Sequence, residues 1–327
     1  MARAGKGKAQ VEWQDVKGGA WQPTFSGIST FLRRPHTQDL KGVDIAVSGV
    51  PFDNATTDRP GTRFGPRAIR AASPGLAELK SFPWGFDPFE TVNVVDYGDC
   101  VVNHHMPDSV VPSIEAHADK ILASGAMMVT MGGDHFITYP LLKAHARKFG
   151  KVALLQFDSH CDTWVDWTEG ATSFNHGSMF LRAAKEGVVD LDRSIQVGLR
   201  TANDEAHGFE ILNAPWVLRN GVDATLAAIK TRVGSGPVYV SFDIDFLDPA
   251  FAPGTGTPVC GGPSSWQALE LIRGLGSLNI VGMDLVEVSP PYDHGEVTAL
   301  AGATILHDII CLVAEKKGAK RHPLGKM

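Results

Sequence analysis

The stretch VALLQFDSHCDTW, residues 152–164, joins a mostly apolar run to a group of polar side chains that can bind metals. The runs MMVTMGGDH (127–135) and VYVSFDID (238–245) have the same form, and segments with helical periodicity separate the three. Strands that are apolar along their whole length are typical of parallel sheets with helices on both faces. The sequence therefore predicts a doubly wound α/β domain.

Three candidate metal ligands lie at two-residue intervals just after the first of these runs. In an extended chain, side chains at positions i, i+2 and i+4 lie on one face. We therefore expect Asp158, His160 and Asp162 to point together, and Ser159 and Cys161 to face the packing behind them. On this interpretation Cys161 takes no part in the chemistry, which favours a hard-metal site over a thiolate site.

Polar residues end the other two apolar runs as well, and ligands bind at the carboxyl ends of strands in such sheets. Four converging carboxylates would repel each other severely unless cations neutralised them. Four aspartates and two histidines suit two divalent ions roughly 3.5–4 Å apart. Oxygen-rich ligation without thiolate favours Mn²⁺, with Mg²⁺ or Fe²⁺ as alternatives and Zn²⁺ less favoured. The predicted metal ligands are His135, Asp158, His160, Asp162, Asp243 and Asp245.

Charge and cysteine content restrict the class of protein. The 327 residues include 30 Lys and Arg against 36 Asp and Glu, a formal net charge of −6. A nucleic-acid-binding protein normally carries a basic surplus, so we expect no nucleic-acid partner and favour a small cationic ligand. Four widely spaced cysteines without a C-x-x-C pair predict a reduced, cytoplasmic protein rather than a disulfide scaffold.

No break in composition divides most of the chain. Residues 1–20 are predicted to form a flexible arm and residues 21–327 a single domain, because no polar linker or internal repeat interrupts them. We expect no secretory signal, since no apolar stretch follows the basic, polar beginning. The apolar segment 299–314 contains His307 and Asp308, which predicts a packed helix rather than a membrane span.

Three motifs together resemble the signatures of the ureohydrolases, the arginase and agmatinase family. They are GGDH, FDSHCD and SFDIDFLDPAFAPGTGTPVCGG, and they occur in the order and spacing of that family. The resemblance runs from about Val43 to the C-terminal helix, and GVPFDNAT and FNHGSMF are most similar to bacterial agmatinases. It implies an arginase-like three-layer α/β/α fold with a mostly parallel central sheet, two Mn²⁺ ions per subunit, and homotrimers or homohexamers.

The resemblance also implies a role for individual residues. His135 and Asp162 would complete one metal site and His160 and Asp245 the other, with Asp158 and Asp243 bridging the two ions. His176, in FNHGSM, matches a proton-transfer residue, and Glu287, in DLVEVSP, matches the carboxylate that binds the guanidinium. The family's commonest central motif is D-A-H-x-D. Here Ser159 replaces the alanine, and we expect the metal set to survive because that position is predicted to face away.

The implied reaction is hydrolysis of a guanidinium to urea and an amine. We predict agmatine as substrate, cleaved to putrescine and urea by a metal-bridging hydroxide that Asp162 holds and with a proton from His176. Trp164 or Trp167 is a candidate wall for the substrate tail, although packing explains either residue equally well.

Other substrates and roles remain open at this point. The resemblance disfavours arginine as the substrate, because arginases hold its carboxylate with an asparagine soon after the third ligand, and residues 163–175 lack one soon after Asp162. Another guanidino acid, such as 4-guanidinobutyrate, is the nearest alternative, since Arg59, Arg63 or Arg67 could bind its carboxylate. A non-catalytic protein that binds metal or a guanidino compound is the alternative from a different class.

Overall fold

The sheet at the centre of the fold has eight parallel strands in the computed structural model, which describes residues 24–78, 80–165 and 174–322. The strands are β1 Ile45–Val50, β2 Val94–Asp99, β3 Met127–Gly132, β4 Ala153–Phe157, β5 Ile195–Leu199, β6 Glu210–Asn213, β7 Pro237–Asp243 and β8 Asn279–Val286. Their spatial order is β2-β1-β3-β8-β7-β4-β5-β6, and each neighbouring pair is parallel.

Helices cover both faces of this sheet. They are α1 Gly65–Ala72, α2 Pro107–Ala123, α3 Thr138–Phe149, α4 Met179–Lys185, α5 Ala214–Val233, α6 Ser265–Arg273 and α7 Val297–Lys316. Buried side chains of α1, α5, α6 and α7 join one hydrophobic cluster, and those of α2, α3 and α4 join a second. The predicted fold class, a three-layer α/β/α arrangement with a parallel central sheet, is confirmed.

Strand side chains alternate between these two clusters. In β3, Val129 and Met131 pack into the first cluster and Met128 into the second. In β4, Leu155 packs into the first cluster and Leu154 into the second. Successive strand residues point to opposite faces, so a strand covered on both sides is apolar for most of its length. This packing explains the mostly apolar runs in the sequence.

The strands that end in candidate ligands are neighbours at the centre of the sheet, in the order β3-β8-β7-β4. Because all of them are parallel, their carboxyl ends lie at one edge, and the polar residues that follow them meet there. The candidate site is therefore built by the chain segments after four central strands. The predicted arm at residues 1–20 and Trp167 lie outside the described residues, and the domain limits stay a prediction.

One described helix, α7, is long and apolar enough to cross a membrane by length and composition, with a mean hydropathy of 1.9. However, 72% of its apolar window is buried inside the fold. His307 and Asp308 are among its buried residues, and Asp308 accepts a hydrogen bond from the indole of Trp84 at 2.7 Å. This burial agrees with the predicted packed helix.

Candidate metal centre

His135 lies in a short 3₁₀ turn after β3 and directs one ring nitrogen at three aspartates. Its Nδ1 is 2.8 Å from Asp162 Oδ2, 3.1 Å from Asp158 Oδ2 and 3.2 Å from Asp243 Oδ2. The imidazole is 1% exposed, so solvent does not screen these groups. Three carboxylates from the ends of two different strands therefore converge on a single histidine nitrogen.

His160 forms the second half of the cluster. Its Nδ1 is 3.0 Å from Asp245 Oδ2 and 3.5 Å from Asp158 Oδ1. Asp158 thus directs one carboxylate oxygen at each histidine. Two groups of potential ligand atoms result, His135–Asp158–Asp162 and Asp158–His160–Asp245, each spanning no more than 4.8 Å. Asp158 belongs to both groups, which is the arrangement expected of a bridging carboxylate.

The hydrogen bonds behind His135 determine which of its nitrogens carries a proton. Ser241 Oγ donates to Asp284 Oδ1 at 2.7 Å, so its only proton is used there. Tyr239 donates to the other oxygen of Asp284, at 2.8 Å. The 2.8 Å contact between His135 Nε2 and Ser241 Oγ must then be donated by the histidine. The neutral ring therefore presents the lone pair of Nδ1 to the carboxylates.

This donor set fits divalent cations. His135 Nδ1 is buried and makes no hydrogen bond among the described residues, although carboxylate oxygens surround it. A lone pair facing carboxylates is repulsive unless a cation or a proton lies between them. A hydroxyl and a carboxylate that orient the opposite ring nitrogen are typical of metal-binding histidines. The cluster can thus hold metal ions, and its ligands are aspartate oxygens and imidazole nitrogens.

The pKa values in the cluster express the same mutual repulsion. Burial and the neighbouring Asp158 raise the pKa of Asp162 to about 6. Burial, followed by repulsion from the charge of Asp245, raises the pKa of Asp243 well above its usual value. Burial disfavours the charged form of His160, yet Asp245 and Asp158 raise its pKa to about 12. Positive charge is therefore strongly favoured here, whether protons or metal ions supply it.

The extended conformation expected for residues 158–162 is wrong. β4 ends at Phe157, and Asp162 has a φ of 52°, so side chains do not alternate along this segment. Ser159 does not face away from the ligands: its Oγ donates to Asp245 Oδ1 at 2.7 Å and lies 3.0 Å from His160 Nδ1. The predicted aspartates and histidine do converge, but a turn brings them together.

A turn also positions the second aspartate pair. β7 ends at Asp243, and its Oδ1 accepts the backbone N–H of Asp245 at 2.8 Å, which begins a short 3₁₀ turn. The two-residue spacing therefore comes from a side-chain cap, not from strand alternation. Of the two described histidines of the cluster, Asp243 contacts only His135. Its bridging role therefore stays a prediction.

Cys161 belongs to neither group of potential ligands among the described residues. The side chain is fully buried, and burial raises the pKa of its thiol. Its carbonyl accepts a hydrogen bond from Gln196 at 2.6 Å. These contacts agree with the prediction that Cys161 takes no part in the chemistry.

Glu287 and His176 form a pair beside the cluster. His176 Nδ1 lies 2.8 Å from Glu287 Oε1, which also accepts the backbone N–H of His135 at 2.9 Å. Glu287 has a φ of 64°, a left-handed conformation that a glutamate adopts rarely, and its own N–H donates to Gly133 O. The second oxygen, Oε2, is buried and has no hydrogen-bond partner among the described residues.

A cavity of about 430 Å³ reaches His176 of this pair and three residues of the cluster, His160, Asp162 and Asp243. It is lined by Thr57, His160, Asp162, Trp164, Val165, Asn175, His176, Gly177, Asp243 and Thr257. The Trp164 indole donates to Ala202 O at 3.0 Å and meets the His160 ring edge to face. Trp164 therefore forms part of the wall, as predicted, but its contacts are also those of a packed residue.

The three arginines considered as carboxylate-binding residues are not among the described lining residues of the cavity. Arg63 pairs with the buried Asp53 and donates to Asn54. Arg59 lies over the ring of Tyr292, 5.2 Å from its centroid. Arg67 is exposed on α1. The described part of the cavity wall thus carries two aspartates and no lysine or arginine.

Comparison with known proteins identifies the family. A model of the Arginase family matches residues 43–311. The chain belongs to the arginase family. An agmatinase of Chromobacterium violaceum is 57% identical over 314 residues, covering 96% of this chain and 97% of the relative. The crystal structure of a hypothetical agmatinase from Burkholderia thailandensis is 55% identical with a TM-score of 0.89, covering 90% of this chain and 93% of that one.

A solved structure of lower sequence identity has the same fold. The proclavaminate amidino hydrolase of Streptomyces clavuligerus is 38% identical with a TM-score of 0.85, covering 90% of this chain and 99% of that one. The predicted ureohydrolase resemblance is confirmed, and so is the prediction of an agmatinase-type enzyme of this family. The metal identity, the cytoplasmic location and the homotrimer or homohexamer stay predictions.

The sequence-based prediction missed the residues that support the ligands. Neither Ser241, which lies inside the run VYVSFDID, nor Asp284, in β8, is predicted to support a ligand. The one available signal was a hydroxyl and a carboxylate at adjacent register positions, since Ser241 pairs with Asp284 across β7 and β8. That register is a property of the assembled sheet, so sequence spacing alone did not reveal it.

Proposed function

We propose that this chain hydrolyses the guanidinium group of agmatine, with putrescine and urea as products. The observation that carries the proposal is the unpartnered oxygen of Glu287, buried beside a cluster of aspartates and histidines. A buried carboxylate oxygen without a donor is costly unless a ligand supplies one. A guanidinium supplies planar N–H donors and a positive charge, and it pairs with carboxylates in a fixed geometry. The agmatinases at 50–57% identity support the same assignment.

Glu287 would bind and aim the substrate. Its Oε1 is already held by His176 and by the backbone of His135, which leaves Oε2 for the guanidinium. A Cβ atom at Gly256 would lie 3.4 Å from Oε2, so the glycine keeps the approach to this oxygen open. Orientation by a fixed carboxylate lowers the entropic cost of bringing the guanidinium carbon to the attacking oxygen.

Two Mn²⁺ ions would be held by His135 and Asp162 on one side and by His160 and Asp245 on the other, with Asp158 and Asp243 shared. Such ions lower the pKa of a bound water from about 15.7 towards about 7, which supplies a nucleophile at neutral pH. Asp162 lies in both the cluster and the cavity wall, where its carboxylate can accept a hydrogen bond from the attacking water. Asp158 and Asp243 would set the spacing of the site.

His176 would provide the proton that the departing amine needs. Burial disfavours its charged form, but Glu287 raises the pKa of His176 to about 9, so the ring can hold a proton at neutral pH. It lines the cavity on the side of Glu287, next to the place proposed for the guanidinium. An acid within reach of the leaving nitrogen contributes typically 10²–10⁴-fold to such reactions, an order-of-magnitude figure.

The cavity wall disfavours a substrate whose far end is a carboxylate. Its two aspartates, Asp162 and Asp243, are assigned to the metal ions, the described lining contains no lysine or arginine, and Arg63 is occupied by Asp53. Agmatine carries an ammonium group at its far end, whereas 4-guanidinobutyrate carries a carboxylate that would need a cationic partner. Trp164 would contact the aliphatic part of the substrate from the wall. A non-catalytic role is disfavoured because the predicted ligands, His176 and Glu287 are all brought together.

Urea release from Mn²⁺-loaded protein tests the proposal. Agmatine, 4-guanidinobutyrate, 3-guanidinopropionate and arginine are supplied separately, and kcat/KM is compared. We expect agmatine to be preferred. A preference for a guanidino acid would replace the proposed substrate, and binding of guanidino compounds without any urea release would support the non-catalytic alternative.

A matched pair of variants tests the role of Glu287. Glu287→Gln keeps the shape but removes the charge, and hydrogen bonds to charged groups imply a loss of roughly 10- to 100-fold in kcat/KM. Glu186→Gln is the control, because Glu186 accepts a hydrogen bond from Tyr139 and is not among the described lining residues of the cavity. Metal content should stay unchanged in both. Equal activity of Glu287→Gln and wild type would contradict the guanidinium-binding role.

A further inference from the structure

Both ring nitrogens of His176 are engaged, and one of them contacts a residue from a separate loop. Nδ1 faces Glu287 Oε1 at 2.8 Å. Nε2 lies 3.1 Å from the backbone N of Thr57 and 2.8 Å from the Thr57 hydroxyl oxygen. His176 is 8% exposed, whereas Thr57 is exposed and lines the cavity. Thr57 therefore lies between a buried imidazole and the cavity.

These contacts define the tautomer of the neutral ring. Glu287 Oε1 already accepts the N–H of His135, and as a carboxylate it can only accept, so His176 Nδ1 donates to it. The backbone N–H of Thr57 can only donate, so Nε2 must present a lone pair to it. The structure thus holds His176 with its proton on Nδ1.

Proton transfer requires the ring to gain and lose a second proton, which must be carried on Nε2. When Nε2 is protonated, the Thr57 backbone N–H can no longer bond to it, but the hydroxyl oxygen at 2.8 Å can accept. A hydroxyl rotates, so it donates to the neutral ring and accepts from the charged one. We propose that Thr57 is a positioning residue that holds His176 in place in both protonation states and connects Nε2 to the cavity.

The loop that carries Thr57 is anchored on both sides, so the hydroxyl is presented at a defined place. Before Thr57, Ala55 N donates to Asp134 Oδ2 at 2.8 Å and Ala55 O accepts the backbone N–H of His176. After it, Asp53 Oδ2 accepts the backbone N–H of Gly61 at 2.9 Å. A fixed loop avoids the entropic cost of ordering the hydroxyl each time the ring changes charge.

Two opposing influences act on the charge of His176. Glu287, Asp134 and Asp162 are the carboxylates that favour its cation, and they outweigh burial to raise its pKa to about 9. The Thr57 backbone N–H favours the neutral ring, because it needs the lone pair of Nε2. The Thr57 hydroxyl is the group that bonds to either form, so its removal should leave the cation without its acceptor and lower the pKa.

The inference rests on the proposed function, in which His176 protonates the leaving amine, but its test includes a readout that needs no turnover. Thr57→Val keeps the β-branched shape and the backbone N–H and removes only the hydroxyl. Thr57→Ser restores it. Hydrogen bonds to charged groups correspond to a pKa shift of roughly one unit. We therefore expect the pKa of His176 to fall by about one unit in Thr57→Val and to be unchanged in Thr57→Ser.

The pKa is measured by NMR titration of full-length protein with labelled histidine, loaded with diamagnetic Mg²⁺. His176→Gln identifies its resonance among those of the 12 histidines. The ¹⁵N shifts report the tautomer. Urea release from Mn²⁺-loaded protein provides the second readout: activity should decline as pH rises past the pKa of the acid, and this decline should move to lower pH in Thr57→Val by the same amount.

Thr56→Val is the matched control, because the Thr56 hydroxyl donates to Asp53 O instead of His176. An unchanged His176 pKa in Thr57→Val, or equal shifts in Thr57→Ser and Thr57→Val, would overturn the inference, the latter pointing to packing alone. If Thr57→Val does not fold by circular dichroism, Thr57→Ala carries the same expectation. If wild type releases no urea from any guanidino compound, the proposed function fails, while the NMR result still decides the role of Thr57.

Discussion

Replacing Ser241 with alanine should weaken Mn²⁺ binding without touching a ligand. Ser241 is fully buried on β7, and its hydroxyl accepts from His135 Nε2 at 2.8 Å and donates to Asp284 Oδ1 at 2.7 Å. Asp284 keeps the hydroxyl of Tyr239 as a donor in the variant. The loss therefore falls mainly on His135, whose Nε2–H is left buried without an acceptor.

The size of the effect follows from that stranded donor. A buried polar group without a partner costs about 1–3 kcal/mol. Since about 1.4 kcal/mol corresponds to a tenfold change in affinity, we expect Mn²⁺ to bind roughly 10-fold more weakly, and at most about 100-fold. Loss of an outer-shell partner typically weakens metal binding by 10–100-fold, an estimate in the same range.

Calorimetric titration of EDTA-treated protein with Mn²⁺ measures the affinity, and thermal unfolding measures stability in parallel. Ser48→Ala is the control, because Ser48 is also a buried strand serine whose hydroxyl contacts a histidine, His117 Nε2 at 2.6 Å. His117 belongs to no potential ligand group among the described residues. Wild-type affinity in Ser241→Ala, or an equal loss in Ser48→Ala, would refute the reasoning.

Three further predictions concern the same region. Ser159→Ala should weaken Mn²⁺ binding by under about tenfold, which is less than Ser241→Ala, because the backbone N–H of Ser159 still donates to Asp245 Oδ1 at 3.1 Å. A loss of affinity above about 100-fold in calorimetry would contradict this. Native protein at pH 8 should show one thiol reactive to Ellman's reagent, Cys260, because the other three cysteines are buried; rapid reaction of a second thiol would contradict this. Cys161→Ser should keep the metal content of the wild type. Mn²⁺ binding should release protons and tighten as pH rises. The pKa of His160 is raised to about 12, so the metal-free ring holds a proton that the metal must displace. Calorimetric titrations in buffers of different ionisation enthalpy count those protons, and an Mn²⁺ affinity independent of pH between 6 and 8 would refute the prediction.

Most of the fold followed from the alternation of apolar runs and helical patterns. The pattern missed β6, Glu210–Asn213, an edge strand of four residues whose burial is incomplete. The helical pattern SIEAHADKILASG, residues 113–125, also predicts too late a start for α2, since the helix begins at Pro107. An edge strand has a neighbour on one side only and needs no continuous apolar run, so its sequence carries little signal. Pro107 lies in the first turn, where proline is tolerated and looks like a loop residue.

The convergence of the ligands was predicted for a reason that proved wrong. Alternation along an extended chain placed Asp158, His160 and Asp162 together and turned Ser159 away. In the structure the chain leaves the extended conformation after Phe157, and Ser159 donates to Asp245 among the ligands. Carboxyl ends of parallel strands meet at one edge whatever the local backbone does, so the prediction of a shared site survived the error about the segment.

The sequence by itself determined the residue types at the strand ends, and with them the chemistry: carboxylates and imidazoles after apolar runs, in motifs shared with the arginase family. Only the tertiary structure decided how these groups are held. Three contacts join segments more than 100 residues apart: Ser241 with His135, Glu287 with His176, and Thr57 with His176. Local spacing encodes which atoms a chain offers, whereas strand order, register and loop anchoring determine which atoms meet.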